Sequence, residues 1–262
     1  MSLSPALDRL REILALPPGV AVAYSGGMDS GFLALAAARW RGADTVRAFF
    51  VASELNPAGE TDRAVALARD YGIPCEVLPI EVLSLPVFRE HPPDRCYHCK
   101  REIFTRILER VPPGWRLVEG SNLDDRGDYR PGKRALAELQ VGSPLDEAGF
   151  TKAMIRDALR EWGAAGFIRP AMPCLATRIP FGTPVTLGNL RQVAAGEAVL
   201  TAAGLAGARL RHHGEIARVE VPATDLARAL PLVQASAEAL RRLGFRFVTL
   251  DVEGYRQGSM NP

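Results

Sequence analysis

Apolar residues along the first part of the chain follow two alternating rhythms. Leu3, Leu7, Leu10, Ile13 and Leu14 recur at helical spacing with charges between them, which predicts an amphipathic helix over residues 1–16. Val20-Ala21-Val22-Ala23-Tyr24 is then an unbroken apolar run, short enough for a buried strand and ended by Ser-Gly-Gly. The same reading predicts helices over 29–39, 60–71 and 101–110, and strands over 45–51, 75–80 and 116–119. A polar loop follows over 120–132. Strands alternating with helices imply a parallel sheet with helices on both faces.

A Pro/Gly-rich stretch over 169–184 interrupts this rhythm, and the pattern after it is different. A helix is predicted over 187–203, then strands over 208–213 and 216–221 around His213-Gly214, a helix over 225–243 and a last strand over 245–250. The expected fold class is therefore α/β, a doubly wound parallel sheet over 1–184, with a smaller C-terminal α+β domain over 185–262. A length of 262 residues accommodates one medium and one small domain.

Composition narrows the partners. Apolar residues make up 47% and charged residues 24%, ordinary values for a soluble globular protein. A net charge of +2 supplies no broad basic field for nucleic acid. No run approaches the roughly 20 apolar residues of a membrane span, and the N-terminal helix lacks the unbroken apolar stretch of a signal peptide. The expectation is a cytoplasmic protein without membrane or nucleic-acid partners. In a reducing cytosol its four cysteines, Cys75, Cys96, Cys99 and Cys174, are metal ligands or catalytic groups more often than disulfides. Cys75 has no cysteine or histidine near it in sequence and reads as a small buried hydrophobe.

Between the first strand and the next helix stands Ser25-Gly26-Gly27-Met28-Asp29-Ser30. Two glycines let the chain turn and let an anion approach the backbone. The helix start adds convergent N–H groups and a partial positive charge, and Ser25 and Ser30 can donate hydroxyl hydrogen bonds. Asp29 would oppose a phosphate unless it holds a cation or a backbone amide. The loop lacks the G-K-[ST] ending of the Walker type. A tight βα turn capped by Asp29 and Ser30 explains the same residues. The six-residue string resembles the ATP pyrophosphatase (PP-loop) family, of the adenine nucleotide alpha hydrolase-like fold, which includes NAD synthetase, GMP synthetase and tRNA thiolases. The resemblance implies that Ser25, Gly26, Gly27, Asp29 and Ser30 hold the pyrophosphate leaving an adenylated carbonyl, with ATP as the cofactor. Ser53-Glu54 and Gly120-Ser121-Asn122-Leu123-Asp124-Asp125 follow strands, where ligands of doubly wound sheets sit. Ser53, Glu54, Asn122 and Asp125 thus join the nucleotide set. Asp124, Asp125 and Asp128 can hold Mg2+, or form a solvated acidic loop.

Cys96-Tyr97-His98-Cys99 is a C-x-x-C, a redox pair or half of a zinc site. No second C-x-x-C completes a four-cysteine zinc site. His98 lies inside the pair and cannot easily bind the same metal, and a zinc site completed by Cys174 and a histidine such as His91 would be strained. Three thiolates on a 4Fe-4S cluster would leave one iron open to carry sulfide to an activated carbonyl. Adenylation joined to three cysteines suggests sulfur transfer.

A closer resemblance emerges from motifs in order. S-G-G-M-D-S, then C-Y-H-C-K (Cys96 to Lys100), D-Y-R-P-G (Asp128 to Gly132), P-C-L-A-T-R-I-P-F-G (Pro173 to Gly182) and G-Y-R-Q-G-S-M-N (Gly254 to Asn261) are similar to the LarE-type sulfur transferase family, from about residue 20 to the C-terminus. The resemblance implies synthesis of the nickel-pincer nucleotide cofactor: a carboxylate of a pyridinium biscarboxylic acid mononucleotide is adenylated and becomes a thiocarboxylate. It implies two alternative sulfur sources. Cys174 matches a cysteine that gives up its own sulfur and becomes dehydroalanine, while the set Cys96, Cys99 and Cys174 looks like that of members with a 4Fe-4S cluster. Thr177 stands where the family pattern leads one to expect serine. Carboxylase and nickel-insertion partners of the same pathway, and a homo-oligomer, are further implications. A mononucleotide substrate needs a phosphate site. Arg209 and Arg211, two apart on a predicted strand, point to one face, and arginine suits bidentate phosphate binding. Arg178 and Arg256 are further candidates, and a solvated strand face is the other reading of the pair. The rival functions are a tRNA thiolase, an amide-forming PP-loop ligase, and a non-catalytic zinc- and nucleotide-binding protein.

Overall fold

The structure, a computed structural model, describes residues 3–126, 131–169, 173–256 and 258–260. The chain forms two compact units. The first gathers Met1–Ser53, Gly59–Ile80 and Cys96–Met172; the second gathers Glu54–Ala58, Glu81–Arg95 and Pro173–Pro262.

The first unit is built on β1 (Val20–Tyr24), β2 (Val46–Ala52), β3 (Cys75–Pro79) and β4 (Arg116–Val118), in the order β3-β2-β1-β4. All neighbours are parallel, with Val20 beside both Val46 and Arg116, and Ala48 beside Cys75. Helices α1 (Leu3–Ala15), α2 (Met28–Arg41), α3 (Glu60–Asp70), α5 (Arg95–Leu108), α6 (Gly132–Glu138), α7 (Pro144–Ala148) and α8 (Lys152–Glu161) connect and cover these strands, while the short α4 (Pro86–Arg89) belongs to the second unit. Strand alternation sorts the apolar residues into two cores. Val20, Val22 and Tyr24 pack with residues of α1, α2, α3 and α8, while Ala21 and Leu117 pack with Phe104, Ile107 and Leu136 of α5 and α6. Each fully buried leucine or phenylalanine contributes roughly 1.5–3 kcal/mol. Both faces are thus covered, which is why β1 reads as continuous apolar sequence rather than alternating.

The elements follow the sequence pattern closely, apart from the one-turn α4, which the pattern did not assign, and two larger differences. Helix α5 begins at Arg95 rather than residue 101, so Cys96 and Cys99 lie within its first two turns instead of ahead of it. Pro92 and Pro93 preset the approach, and Arg95 N–H closes the first bond onto Pro92 O at 3.0 Å. Helices α6, α7 and α8 occupy a stretch to which the pattern assigned no element. The first two are too short for periodicity to register. The third is started by Thr151, whose hydroxyl accepts from Met154 N–H at 3.3 Å, and buries Ile155, Ala158 and Leu159.

The second unit carries β5 (Arg209–His213), β6 (Ile216–Glu220) and β7 (Phe247–Leu250), with β5–β6 antiparallel and β6–β7 parallel, and helices α9 (Leu187–Ala202) and α10 (Leu226–Arg242). A capping box of Thr186 and Asn189 starts α9. Backbone bonds from Leu175 N to Leu55 O (3.1 Å), Gly182 N to His91 O (3.0 Å) and Val185 N to Arg89 O (2.9 Å) stitch the segment after Pro173 to the two shorter segments of this unit. No described helix is long and apolar enough to cross a membrane.

Candidate functional site

In the first unit the strand order reverses between β1 and β4, and ligands of doubly wound sheets sit at the carboxyl ends of the strands at such a point. Two loops meet there. Gly26 holds φ +72°, and a Cβ on it would fall 2.8 Å from Ala64 Cβ. A Cβ on Gly120 would fall 2.8 Å from Ser30 N, so the loop after β4 lies directly on the start of α2. Gly27 is the N-cap of α2 and supplies no side-chain cap, and convergent amides at such a helix start suit an anion. The loop is closed by its own hydroxyls. Ser25 N–H donates to Ser30 Oγ at 3.1 Å, and the two serine oxygens are 3.0 Å apart. Behind it, Arg63 Nη2 donates to Gly26 O at 3.1 Å while its Nε binds Glu60 Oε2 at 3.0 Å; Arg169 reaches the same oxygen at 3.5 Å. Two buried donors near these loops, Arg63 Nη1 on α3 and Asn122 Nδ2 after β4, meet no acceptor among the described residues. Uncapped amides with unmet donors fit an anionic ligand.

The loop after β4 is ordered from within. Glu119 accepts from Ser121 N–H (3.0 Å), Ser121 Oγ (2.9 Å) and Ser143 Oγ (2.7 Å). Asn122 Oδ1 accepts from Asp124 N–H at 3.1 Å, and Asp125 Oδ2 from Asn122 N–H at 3.3 Å. Asp124 also accepts from Lys152 N–H at 2.7 Å, and Asp125, 4% exposed, pairs with Lys152 Nζ at 3.0 Å. Asp128 lies outside the described residues. Of the other predicted pair, Ser53 ends the first stretch of unit one, while Glu54 lies in the second unit, where its carboxylate accepts from Val82 N–H at 3.2 Å and from Leu83 N–H.

None of the four cysteines forms a disulfide. Cys75, on β3, is half-buried with its thiol pushed up to about 11, chiefly by burial, so it stays protonated and inert. Cys96 is exposed and Cys99 half-buried, three apart within the first two turns of α5 and hence on neighbouring positions of one helix face. Cys174 is half-buried in the second unit, at the entry to the short helical turn Leu175–Arg178. In kind, three thiols outside any disulfide fit an iron–sulfur donor set. Among the described residues no three histidine, cysteine or carboxylate side chains stand together as a metal cage. His91 is fully buried, with Nδ1 2.9 Å from Pro180 O and its ring stacked on Phe181.

The predicted arginines separate into different environments. Arg209 and Arg211 flank the buried Leu210 on β5, and the ring of Tyr255 lies 6.0 and 5.9 Å from their guanidinium carbons. Arg209 is half-buried and its pKa is lowered, first by burial and then by Arg178. Arg211 is 5% exposed and forks onto Glu220 Oε2 at 2.8 and 2.6 Å. Arg178 has no exposed surface and forks onto Glu197 at 2.8 and 3.1 Å. Arg256 is exposed and paired with Glu253.

No family model matches the chain. It is 34% identical to pyridinium-3,5-bisthiocarboxylic acid mononucleotide synthase of Lactiplantibacillus plantarum, over 92% of this chain and 88% of that protein. It is also 32% identical to an uncharacterized protein of Synechocystis, over 99% of this chain and 98% of that one. The chain belongs to the LarE-type sulfur transferase family. A protein of Methanocaldococcus jannaschii, also uncharacterized, is 26% identical over 90% of both chains.

Within this LarE-type fold the structure adds residues that no motif announced. Arg63 and Glu60 buttress the Ser25–Ser30 loop from α3. Glu197 and Glu220 hold the two buried arginines of the second unit. The signal for both glutamates was weak: each sits among apolar neighbours in a predicted helix or strand, where a carboxylate is rare unless paired.

Proposed function

We propose that the chain is an ATP-dependent sulfur transferase that adenylates a carboxylate of a pyridinium biscarboxylic acid mononucleotide and converts it to a thiocarboxylate, in nickel-pincer nucleotide synthesis. The observation that carries this is the uncapped start of α2 behind Gly26-Gly27, at the switch point of the sheet, in a chain of this family. A substrate carboxylate oxygen attacks the α-phosphorus of ATP, the bond to the β-phosphate oxygen breaks, and pyrophosphate leaves. The amides at the start of α2 with Ser25 and Ser30 take the pyrophosphate, and Asn122, Asp125 and Ser53 frame the nucleotide. Asp124 and Asp128 would hold Mg2+, which offsets phosphate charge.

Sulfur then attacks the acyl carbon, the bond to the AMP oxygen breaks, and AMP leaves. Bound by Cys96, Cys99 and Cys174, a 4Fe-4S cluster would supply that sulfur as a replaceable sulfide. If Cys174 itself attacks, a thioester forms. Loss of its Cα proton then drives cleavage of the Cβ–S bond, releasing thiocarboxylate and leaving dehydroalanine. Residues 1–184 bind the nucleotide and 185–262 the substrate and neighbouring copies. Arg209, with Arg256, receives the substrate phosphate; Arg178, with no surface, and Arg211, whose three guanidinium nitrogens are taken by Glu220 and Thr177, act elsewhere. We place the enzyme in the cytoplasm as a homo-oligomer, between a carboxylase and a nickel-insertion step.

Asp29→Ala and Ser30→Ala should abolish pyrophosphate release while leaving the fold intact, and wild-type release from either folded variant refutes the reading. Anaerobic reconstitution should bind about four irons per chain, with visible absorption that Cys96→Ala loses. If Cys174 is sacrificial instead, its peptide loses hydrogen sulfide in the mass spectrum after one turnover.

A further inference from the structure

The turn that carries Cys174 is gripped from inside. Arg178 Nη1 donates to Thr177 Oγ1 at 2.8 Å, to Pro173 O at 3.0 Å and to Cys174 O at 3.4 Å, while its other two nitrogens fork onto Glu197. The Thr177 hydroxyl donates its own proton to Cys174 O at 2.8 Å, and Thr177 N–H reaches the same oxygen at 3.0 Å. Glu197 Oε1 in turn accepts from Leu210 N–H at 3.1 Å, which ties the grip to β5. On the far side of the turn, Arg211 Nη1 donates to Thr177 O at 3.0 Å. The carbonyl of Cys174 is therefore held by three donors. Once the backbone is held, only rotation about Cα–Cβ remains to aim the sulfur.

We propose that Thr177 and Arg178 are positioning residues that fix the Cys174 backbone so that its sulfur is presented in one direction. This rests on reading Cys174 as the thiol that carries sulfur or binds the cluster. A nucleophile held at attack distance gains far more than one that wanders, because orientation is settled before the reaction. A buried guanidinium fully engaged by protein acceptors has no fork left for a phosphate, so Arg178 serves the turn instead. The same geometry explains Thr177: what the position requires is a hydroxyl that donates to Cys174 O and accepts from Arg178, and threonine and serine both supply one.

The test compares Thr177→Val, Thr177→Ser and Arg178→Lys in the full chain. The alkylation rate of Cys174 by iodoacetamide is read from its tryptic peptide over a pH series, with Cys75 as internal control. Thr177→Val loosens the turn, so Cys174 should alkylate about tenfold faster, as expected for loss of one hydrogen bond, while Cys75 keeps its wild-type rate. Thiocarboxylate formed per pyrophosphate released should fall by a similar factor. Thr177→Ser should restore both values, and Arg178→Lys, which keeps the charge and loses the fork, should move them as valine does. Wild-type alkylation of Cys174 in folded Thr177→Val overturns the proposal, as does failure of serine to restore it. If Thr177→Val does not fold, Arg178→Lys decides by the same readout. Alkylation needs neither ATP nor substrate. A wild-type protein that forms no thiocarboxylate would thus sink the proposed reaction while the positioning role is still decided by Cys174.

Discussion

Around Ser25 to Ser30 the chain is held chiefly by its own backbone and two short hydroxyls, with one long side chain, Arg63 of α3, on Gly26 O, and it ends at a helix start with no side-chain cap. Around Cys174 the chain is held by long side chains from elsewhere: Arg178 through Glu197 on α9, and Arg211 with Glu220 from the β5–β6 hairpin. A loop shaped chiefly by its backbone needs only a few consecutive residues, so it leaves a compact motif. A turn held by buried ion pairs needs partners many positions away, and a motif records only one end of each pair. The two regions should therefore fail differently when damaged.

The largest expected effect is on the ion pairs. Glu220, fully buried, serves both Arg211 and Arg218 and accepts from Ser259 Oγ at 3.2 Å. Glu220→Ala leaves buried positive charge without a counter-charge and should cost about 3–5 kcal/mol, measured by denaturant unfolding. A loss below about 1 kcal/mol would mean that water compensates the arginines, and the contrast between the regions would collapse.

A smaller effect is expected at the loop. Gly26→Ala places a side chain at positive φ and against Ala64, which should cost roughly 1–3 kcal/mol and abolish pyrophosphate release by turning the loop amides. Gly27, at φ −83°, should tolerate alanine far better in stability, because a Cβ there would meet only Ser25 Oγ, at 3.3 Å. Equal losses at both glycines would show that the loop is not held by backbone conformation.

The smallest effect is on pH dependence. His91, His212 and His213 all lie in the second unit with pKa values lowered chiefly by burial, His91 to about 4. Between the lowered values and about 6.5 the unfolded chain binds more protons than the folded one, so stability rises with pH there. It should be fully present above about 6.5 and decline as pH falls toward 4. His91→Asn, which suits the positive φ of 59° at that position, should flatten that slope. An unchanged slope would remove His91 from the account.

Local order alone settled much of this protein. Five residues from Val20 to Tyr24, followed by two glycines and a helix former, specify a strand, a turn and a helix start wherever they are placed, because backbone sterics and apolar burial act at short range. The alternation of such units specifies a parallel sheet, and the order of motifs specifies the family. Tertiary structure decided what those residues are free to do. Arg178, Arg209 and Arg211 look alike in sequence, yet one is wholly enclosed, one half-buried and one locked onto Glu220. Glu54 and Asp124, placed by the pattern at a ligand crevice, also accept backbone amides of Val82 and Lys152. Whether a charge meets a ligand or another part of the chain depends on which distant segment arrives beside it. That is a property of packing and not of any window of sequence.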